Sequence, residues 1–381
     1  MKLDGYQMIA KPAIFSFFSG SGFLDLGFEN SGFDIVYVNE YHAPFMDAYK
    51  HSRKVLGHAE PAYGYDGCSI EKVNMGTLKA NCSELQHEGR LVGFIGGPPC
   101  PDFSVGGKNK GKDGENGKLS KTYVDLICLM SPDFFLFENV KGLYRTKKHR
   151  EFFESLKVQL NKSGYILHEK LINSIEYGAA QDRERIILLG FKDKSLSKNF
   201  NWSGRKYPGR SAFEFDWPTQ ETFVENNNSP MPESLPEELT VNYWFKKNDV
   251  TNHPNAKHCF KARAGLARFL SVAEGDDSKK SYKRLHRWRY SPTAAYGNNE
   301  VHLHPTEPRR ITVSEALAIQ SLPKNFELPQ DMSLSNMFKT VGNGVPYIAA
   351  LGIANSILTH LGVKDEIDSA EFGPGNRKTA A

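Results

Sequence analysis

Cysteine is scarce in this chain, with five residues (Cys68, Cys82, Cys100, Cys128 and Cys259) that are scattered, odd in number and free of any C-x-x-C pair. That excludes a disulfide framework and a zinc knuckle, and it points to a reducing, cytoplasmic setting. Excess charge is scarce too. The chain has 48 Lys and Arg against 44 Asp and Glu, a formal net charge of +4, which is too little for the chain as a whole to act as a polycation. No apolar run approaches the roughly 20 residues that cross a membrane. The first residues, MKLDGYQMIAKPAIFSFF, carry an early acid and no small-residue cleavage site, which excludes a signal peptide. Internal repeats are absent. The three-glycine pattern of a pyrophosphate-binding turn is incomplete, because Phe23 stands where the third glycine is sought. A nucleoside cofactor without a pyrophosphate therefore fits better than a dinucleotide.

Apolar runs of strand length recur with helical patterns between them. Residues 13–18, 34–38, 91–95, 133–137 and 185–191 read as strands. Residues 122–130 read as a helix. So do residues 150–161, where Phe152, Phe153, Leu156 and Leu160 share a face. This alternation predicts an α/β fold with a doubly wound, mostly parallel sheet over residues 1–191. Residues 192–300 are polar, rich in Asn, Pro and Lys, and contain Trp202, Trp217, Trp244 and Trp288. They are expected to form a second, smaller irregular domain or a set of long functional loops. Residues 301–381 return to the first domain. They comprise a helical pattern from Ile311, a glycine-rich turn at 341–344, an apolar helix at 346–358 and a polar tail.

Four strand ends carry groups able to do chemistry. The first leads into Phe18, Ser19, Gly20, Ser21 and Gly22, where glycines let a backbone pass close to a ligand. The second ends at Glu40, an acid suitably placed for ribose hydroxyls. The strand at 91–95 leads into Gly97, Pro98, Pro99, Cys100 and Pro101, a thiol held on a rigid turn. Glu138 follows the apolar run FFLF, where desolvation raises a carboxyl pKa toward neutrality and suits it to donate a proton. Gln181, Arg183 and Arg185 alternate before the last strand and are expected to point into one cleft. Taken singly, each also fits a plainer role: an inert buried thiol, a capping acid or a solvated strand start. Two basic runs stand out, at 108–121 and at 279–290. The second reads KKSYKRLHRWRY, and its interleaved cations and aromatic rings suit phosphate contact and base stacking.

In this order, these motifs resemble the C5-cytosine-specific DNA methyltransferases, typically the modification enzymes of bacterial restriction systems. SFFSGSGFLDLGFE is similar to the family's cofactor loop, GGPPCPDFSVGG to its nucleophile loop, ENV to its proton-donor motif and QDRERIILLGF to its arginine motif. HPTEPRRITVSEALAIQSLP and VGNGVPYIAA are similar to its two carboxyl-terminal motifs. The chain departs from the usual pattern at Ser16 (commonly an acid), Pro101 (commonly Gln) and Ser314 (commonly Arg), and residues 68–75 (CSIEKVNM) offer no clear match for the Asp that in the family contacts the cofactor adenine after the third strand.

The resemblance implies a Rossmann-like methyltransferase fold, with 192–300 as target-recognition domain. It implies methyl transfer from S-adenosylmethionine to C5 of a cytosine flipped out of duplex DNA. Cys100 would attack C6, Glu138 would protonate N3, and Arg185, with Arg183, would hold the base. Phe18, Gly20, Gly22, Glu40, Tyr41, Pro99, Asn343 and Val345 would contact the cofactor. Lys108, Lys110, Lys112, Lys283, Arg284, Arg287 and Arg289 would contact DNA. Implied partners are double-stranded DNA, engaged by a monomer, and a restriction endonuclease as functional counterpart. Methylation of RNA cytosines and DNA binding without catalysis are the alternatives.

Overall fold

The computed structural model describes residues 10–99, 115–262, 265–279, 281–294, 296 and 300–362. Its centre is a seven-stranded sheet built from β1 (Ala13–Phe17), β2 (Asp34–Asn39), β3 (Tyr65–Asp66), β4 (Val92–Gly96), β5 (Phe134–Val140), β6 (Ile166–Asn173) and β7 (Glu184–Phe191), in the order β3-β2-β1-β4-β5-β7-β6. β1 pairs in parallel with β2 and β4, as β2 does with β3 and β4 with β5, whereas β7 runs antiparallel between β5 and β6. β1 and β4 are buried throughout, the continuous apolar burial expected of strands covered on both faces.

Alternation along β1 assigns the faces. Phe15 and Phe17 pack against α3 (Met75–His87), α4 (Glu115–Met130) and α5 (Lys147–Lys162) through Leu78, Tyr123, Ile127 and Phe153. Ile14 faces the other way. It packs with residues of α1 (Phe23–Ser31), α2 (Ala43–Leu56) and α11 (Tyr347–His360), among them Phe28, Met46, Tyr49 and Ile353. α1 and α11 approach closely because position 27 is glycine. A Cβ there would lie 2.6 Å from the backbone of Ala350. The chain order reverses direction between β1 and β4, and their carboxyl ends open the crevice in which such sheets bind ligands.

Beyond β7, Phe200 and Trp202 still pack on the sheet, beside Phe191 and His360. Further on, regular structure is sparse: α6 (Lys194–Ser197), α7 (Val241–Lys247) and α8 (Leu266–Leu270) are short. The apolar residues of this region pack in several separate places. Trp244, Phe245 and Leu285 pack with Val313 and Leu317 of α9 (Val313–Ile319) and Phe338 of α10 (Leu334–Asn343). Ala212 and Leu239 pack with Ile175, and Phe269 and Val272 with Leu303.

Several elements depart from expectation. β3 has two residues and β6 is an edge strand interrupted by His168, Glu169 and Lys170, so neither carries a clear apolar signal. α4 begins at Glu115 rather than 122. Residues 341–343 are the last turn of α10 rather than a loop. Gly342 sits inside that helix because the backbone of Tyr296 leaves no room for a side chain, an added Cβ lying 2.9 Å from its nitrogen. The run Leu334–His360 is apolar enough by composition to cross a membrane, but 61% of its most apolar window is buried inside the protein.

Candidate active site

The turn after β1 is tightly wound. Phe18, Gly20 and Gly22 all have positive φ, at 53°, 58° and 79°. Phe18 lacks the glycine licence for this region, which costs about 1 kcal/mol or more, and such strain is concentrated at functional sites. Its ring is half-buried, edge-on to Tyr123 with centroids 6.0 Å apart. The turn is fastened from several sides. Ser19 donates its amide to the Asn39 carbonyl at 3.2 Å, and Gly20 donates to Glu40 Oε2 at 2.8 Å. Ser21 Oγ lies 2.7 Å from Thr340 Oγ1 of α10. Glu40 also accepts from the amide of His42 at 2.7 Å, and burial raises its pKa against those two bonds.

These contacts gather the expected cofactor residues. Gly20 faces open space, so its backbone is accessible to a ligand, whereas Gly22 is packed against Tyr49 and Arg53. Tyr41 is 73% exposed beside Glu40. α10 ends next to the turn: Asn343 is exposed, Val345 is buried, and Gly344 lies where a Cβ would strike the ring of Phe23. An acid with two oriented oxygens, the open approach to the Gly20 backbone and the exposed ring of Tyr41 fit the ribose and adenine of S-adenosylmethionine. Pro99 is exposed at the carboxyl end of β4, next to β1 in the sheet.

β5 and β7 build the second half of the site. Val140 pairs with Arg185 across the antiparallel ladder, so Glu138, two residues earlier, shares the face of Arg185. Glu138 Oε1 lies 2.8 Å from Arg185 Nε, and both side chains are about nine-tenths buried. Burial raises the Glu138 pKa, against the opposing charges of Arg185 and Arg183. Glu138 Oε2 occupies the space beside Gly97, 2.7 Å from where a Cβ would stand. The neighbouring Asn139 donates to the Pro98 carbonyl at 3.4 Å. β5 thus holds the root of the segment that leads to Cys100. Cys100 itself, with Lys108, Lys110 and Lys112, lies outside the described residues.

Residues 13–359 match the family described as C-5 cytosine-specific DNA methylase. The chain belongs to that family. It is 60% identical over 358 residues to Type II methyltransferase M.NmeDI of Neisseria meningitidis serogroup C, an alignment covering 92% of this chain and 84% of that protein. It is 28% identical to Type II methyltransferase M.FnuDI of Fusobacterium nucleatum, with coverage of 93% and 96%. Two solved structures share its fold. One is a DNA modification methyltransferase encoded within an E. coli prophage (TM-score 0.65, 20% identity, coverage 92% and 100%). The other is the methyltransferase EhMeth of Entamoeba histolytica (TM-score 0.59, 14% identity, coverage 92% and 99%). The enzyme is therefore a DNA cytosine-5 methyltransferase with the Rossmann-like sheet of its neighbours.

The structure places several of the residues expected at the site of this methyltransferase away from open surface. Gln181 and Arg183 lie deeper than Arg185. A bridge between Gln181 and Ser291 closes the chain over them, and both are buried. Arg183 donates to the Ala294 carbonyl at 2.8 Å and the Gly342 carbonyl at 2.7 Å, which ties residues 294 and 342 together beside Glu138 and Arg185. Three arginines of the basic run are likewise committed inward. Arg284 is fully buried, lies 3.8 Å above the Phe223 ring and donates to the carbonyls of Phe269, Val272, His304 and Glu307. Arg287 donates to the Asn227 carbonyl and faces Glu274 at 3.4 Å. Arg289 meets Asp277 at 3.0 Å and the carbonyl of Gly275 at 3.2 Å. In a region with little regular structure, these long cations tie loops together. Lys283 remains half-buried.

Sequence reasoning also passed over Asn139 and the pair Asp25 and Arg53. Asp25 and Arg53 sit 28 positions apart on two helices, with no local signal to join them.

Proposed function

We propose that the enzyme transfers a methyl group from S-adenosylmethionine to C5 of a cytosine turned out of duplex DNA, through a transient bond between Cys100 and C6. The observation that carries this reading is the Glu138–Arg185 pair, buried against Gly97 three residues before Cys100. A cytosine ring needs a nucleophile on C6, a proton at N3 and restraint at O2 before C5 becomes nucleophilic. Cys100 adds as thiolate. Glu138, its pKa raised by burial, donates to N3. The planar donor fork of Arg185 suits the O2 side. Arg183 acts one step back, steadying the segments around Ala294 and Gly342.

Phe18, Gly20, Glu40, Tyr41, Pro99, Asn343 and Val345 would hold S-adenosylmethionine, which when bound supplies an electrophilic methyl on a sulfonium. Loss of the C5 proton to a base then expels Cys100. None of these groups reaches a base inside a stacked duplex, hence the flipped cytosine, at a cost of a few kcal/mol. Residues 192–300 would read the sequence around it, with Lys108, Lys110, Lys112 and Lys283 on phosphates. The Type II names of the relatives suit a modification enzyme paired with a restriction endonuclease, and we also propose that it is cytoplasmic and engages DNA as a monomer.

The test is covalent trapping. Duplex DNA carrying 5-fluorocytosine at the methylated position, with S-adenosylmethionine, is expected to leave enzyme and DNA joined in a denaturing gel. The C100A variant is expected to bind that DNA and form no adduct. An adduct in C100A, or none in the parent enzyme, would overturn the reading.

A further inference from the structure

Against the β1 turn, two helices face each other through side chains four residues apart. α1 contributes Asp25 and Glu29, and α2 contributes Tyr49 and Arg53. Arg53 is the hub. It is 2% exposed, its Nε meets Glu29 Oε2 at 2.7 Å, its guanidinium lies 4.3 Å above the Tyr49 ring, and its Nη2 donates to the Gly22 carbonyl at 2.7 Å. Asp25 is 1% exposed, and neither oxygen accepts a well-aligned hydrogen bond. Arg53, Ser16 and Tyr49 nevertheless lie close enough to favour its ionised form. Ser16 is in turn 2.8 Å from Ser19, inside the turn. A fully buried guanidinium beside two carboxylates is expensive to desolvate, and it persists where the surrounding structure gains from it.

That gain is in the turn. Three left-handed residues in five do not hold themselves, and the fastenings on the ligand side, Gly20 to Glu40 among them, lie where a cofactor binds. We infer that Arg53, supported by Asp25 and Glu29, is a positioning residue for the methyl donor. It fixes the Gly22 peptide so that the turn presents Gly20 and Glu40 in their binding geometry before the donor arrives. The Ser16–Ser19 contact is a second tie on the same turn. This rests on the reading of residues 18–22 and Glu40 as the donor site.

Calorimetric titration of the full chain with S-adenosylmethionine tests it, alongside KM and kcat for methyl transfer. Replacing Arg53 by Met is expected to weaken donor binding by about tenfold or more and raise the donor KM in step. kcat at saturating donor should stay within about twofold, the pattern of lost ground-state organisation. Arg53→Lys, which keeps one charged donor for the Gly22 carbonyl, is expected to recover part of the loss. Asp25→Asn preserves size and guards against a misfolded Arg53 variant, and should weaken binding by about threefold or more. Affinities within about twofold of the parent in both Arg53→Met and Asp25→Asn would overturn the inference, as would a fall in kcat with KM unchanged. If the parent enzyme itself takes up no S-adenosylmethionine, the functional reading fails instead.

Discussion

Glu138 and Arg185 stand on adjacent antiparallel strands with Oε1 and Nε 2.8 Å apart, and Arg185 holds down a pKa that burial pushes up. A proton donor needs both effects: burial keeps a proton available near neutrality, and the cation limits how tightly it is held. Glu138→Gln retains the shape and loses the proton. Methyl transfer is expected to fall by about 10²–10⁴, with DNA affinity within about threefold. Single-turnover rates beside gel-shift binding check this.

Gly97 makes a sharper probe of the same carboxylate. Alanine there would place Cβ 2.7 Å from Glu138 Oε2, closer than real contacts allow. Because the far end of a side chain can move, the expected outcome is a small loss of stability, about 1 kcal/mol. The rate loss is expected to approach that of Glu138→Gln. Thermal unfolding beside turnover separates the two, and an unchanged rate would show that Glu138 need not sit there.

How much of this was legible depended on burial. β1, β4 and β5 are covered on both faces, so their sequences are continuous apolar runs that show without a structure. β6 lies at the sheet edge and β3 is two residues long, and neither has to be apolar. Glycine misled at Gly342, where tertiary crowding by Tyr296 outweighs the low helix propensity. Charge misled at Arg284, because composition does not distinguish a cation facing phosphates from one collecting backbone carbonyls. Glu40 and Glu138 could be read because each follows an apolar strand. The Asp25 and Arg53 cluster could not, since it exists only once α1 and α2 pack together.

Asp25 makes stability depend on pH with a definite sign. Burial lifts its pKa from an ordinary 3.8 to about 6, with Arg53, Ser16 and Tyr49 opposing and Glu29 assisting. The folded protein therefore binds a proton more tightly than the unfolded chain, and stability from this group declines as pH rises from about 4 to 6. Asp25→Asn removes the dependence. Its unfolding free energy relative to the parent is expected to grow from pH 4 to pH 7 by up to about 3 kcal/mol. Denaturant titrations at both pH values measure it. A constant difference would mean that folding does not raise the Asp25 pKa.

Arg284 and Lys283 are neighbours with opposite expected phenotypes. Arg284→Met abandons four carbonyls and should cost about 3 kcal/mol of stability. It should leave the slope of log affinity for DNA against log salt unchanged. Lys283→Ala should leave stability within about 0.5 kcal/mol and reduce that slope by about 1 if Lys283 meets a phosphate. Fluorescence anisotropy across a salt series distinguishes them, and a reduced slope in a folded Arg284→Met would return that arginine to the DNA surface.

Arg183 acts on Glu138 through space as well as bracing its surroundings. After Arg185, its charge is what most restrains the Glu138 pKa. Burial and the charge of Arg185 push the pKa of Arg183 itself down, while Glu138 pulls it back. Removing the Arg183 cation should let the Glu138 pKa rise. Since turnover needs Glu138 protonated, the alkaline limb of the rate profile should move to higher pH in Arg183→Met, even as the overall rate falls with the loss of the Ala294 and Gly342 contacts. Arg183→Lys keeps the charge but reaches those carbonyls less well, so it should lower the rate without moving the limb. The contrast separates charge from bracing: identical limbs in the two variants would mean that Arg183 serves the site only by holding residues 294 and 342 in place.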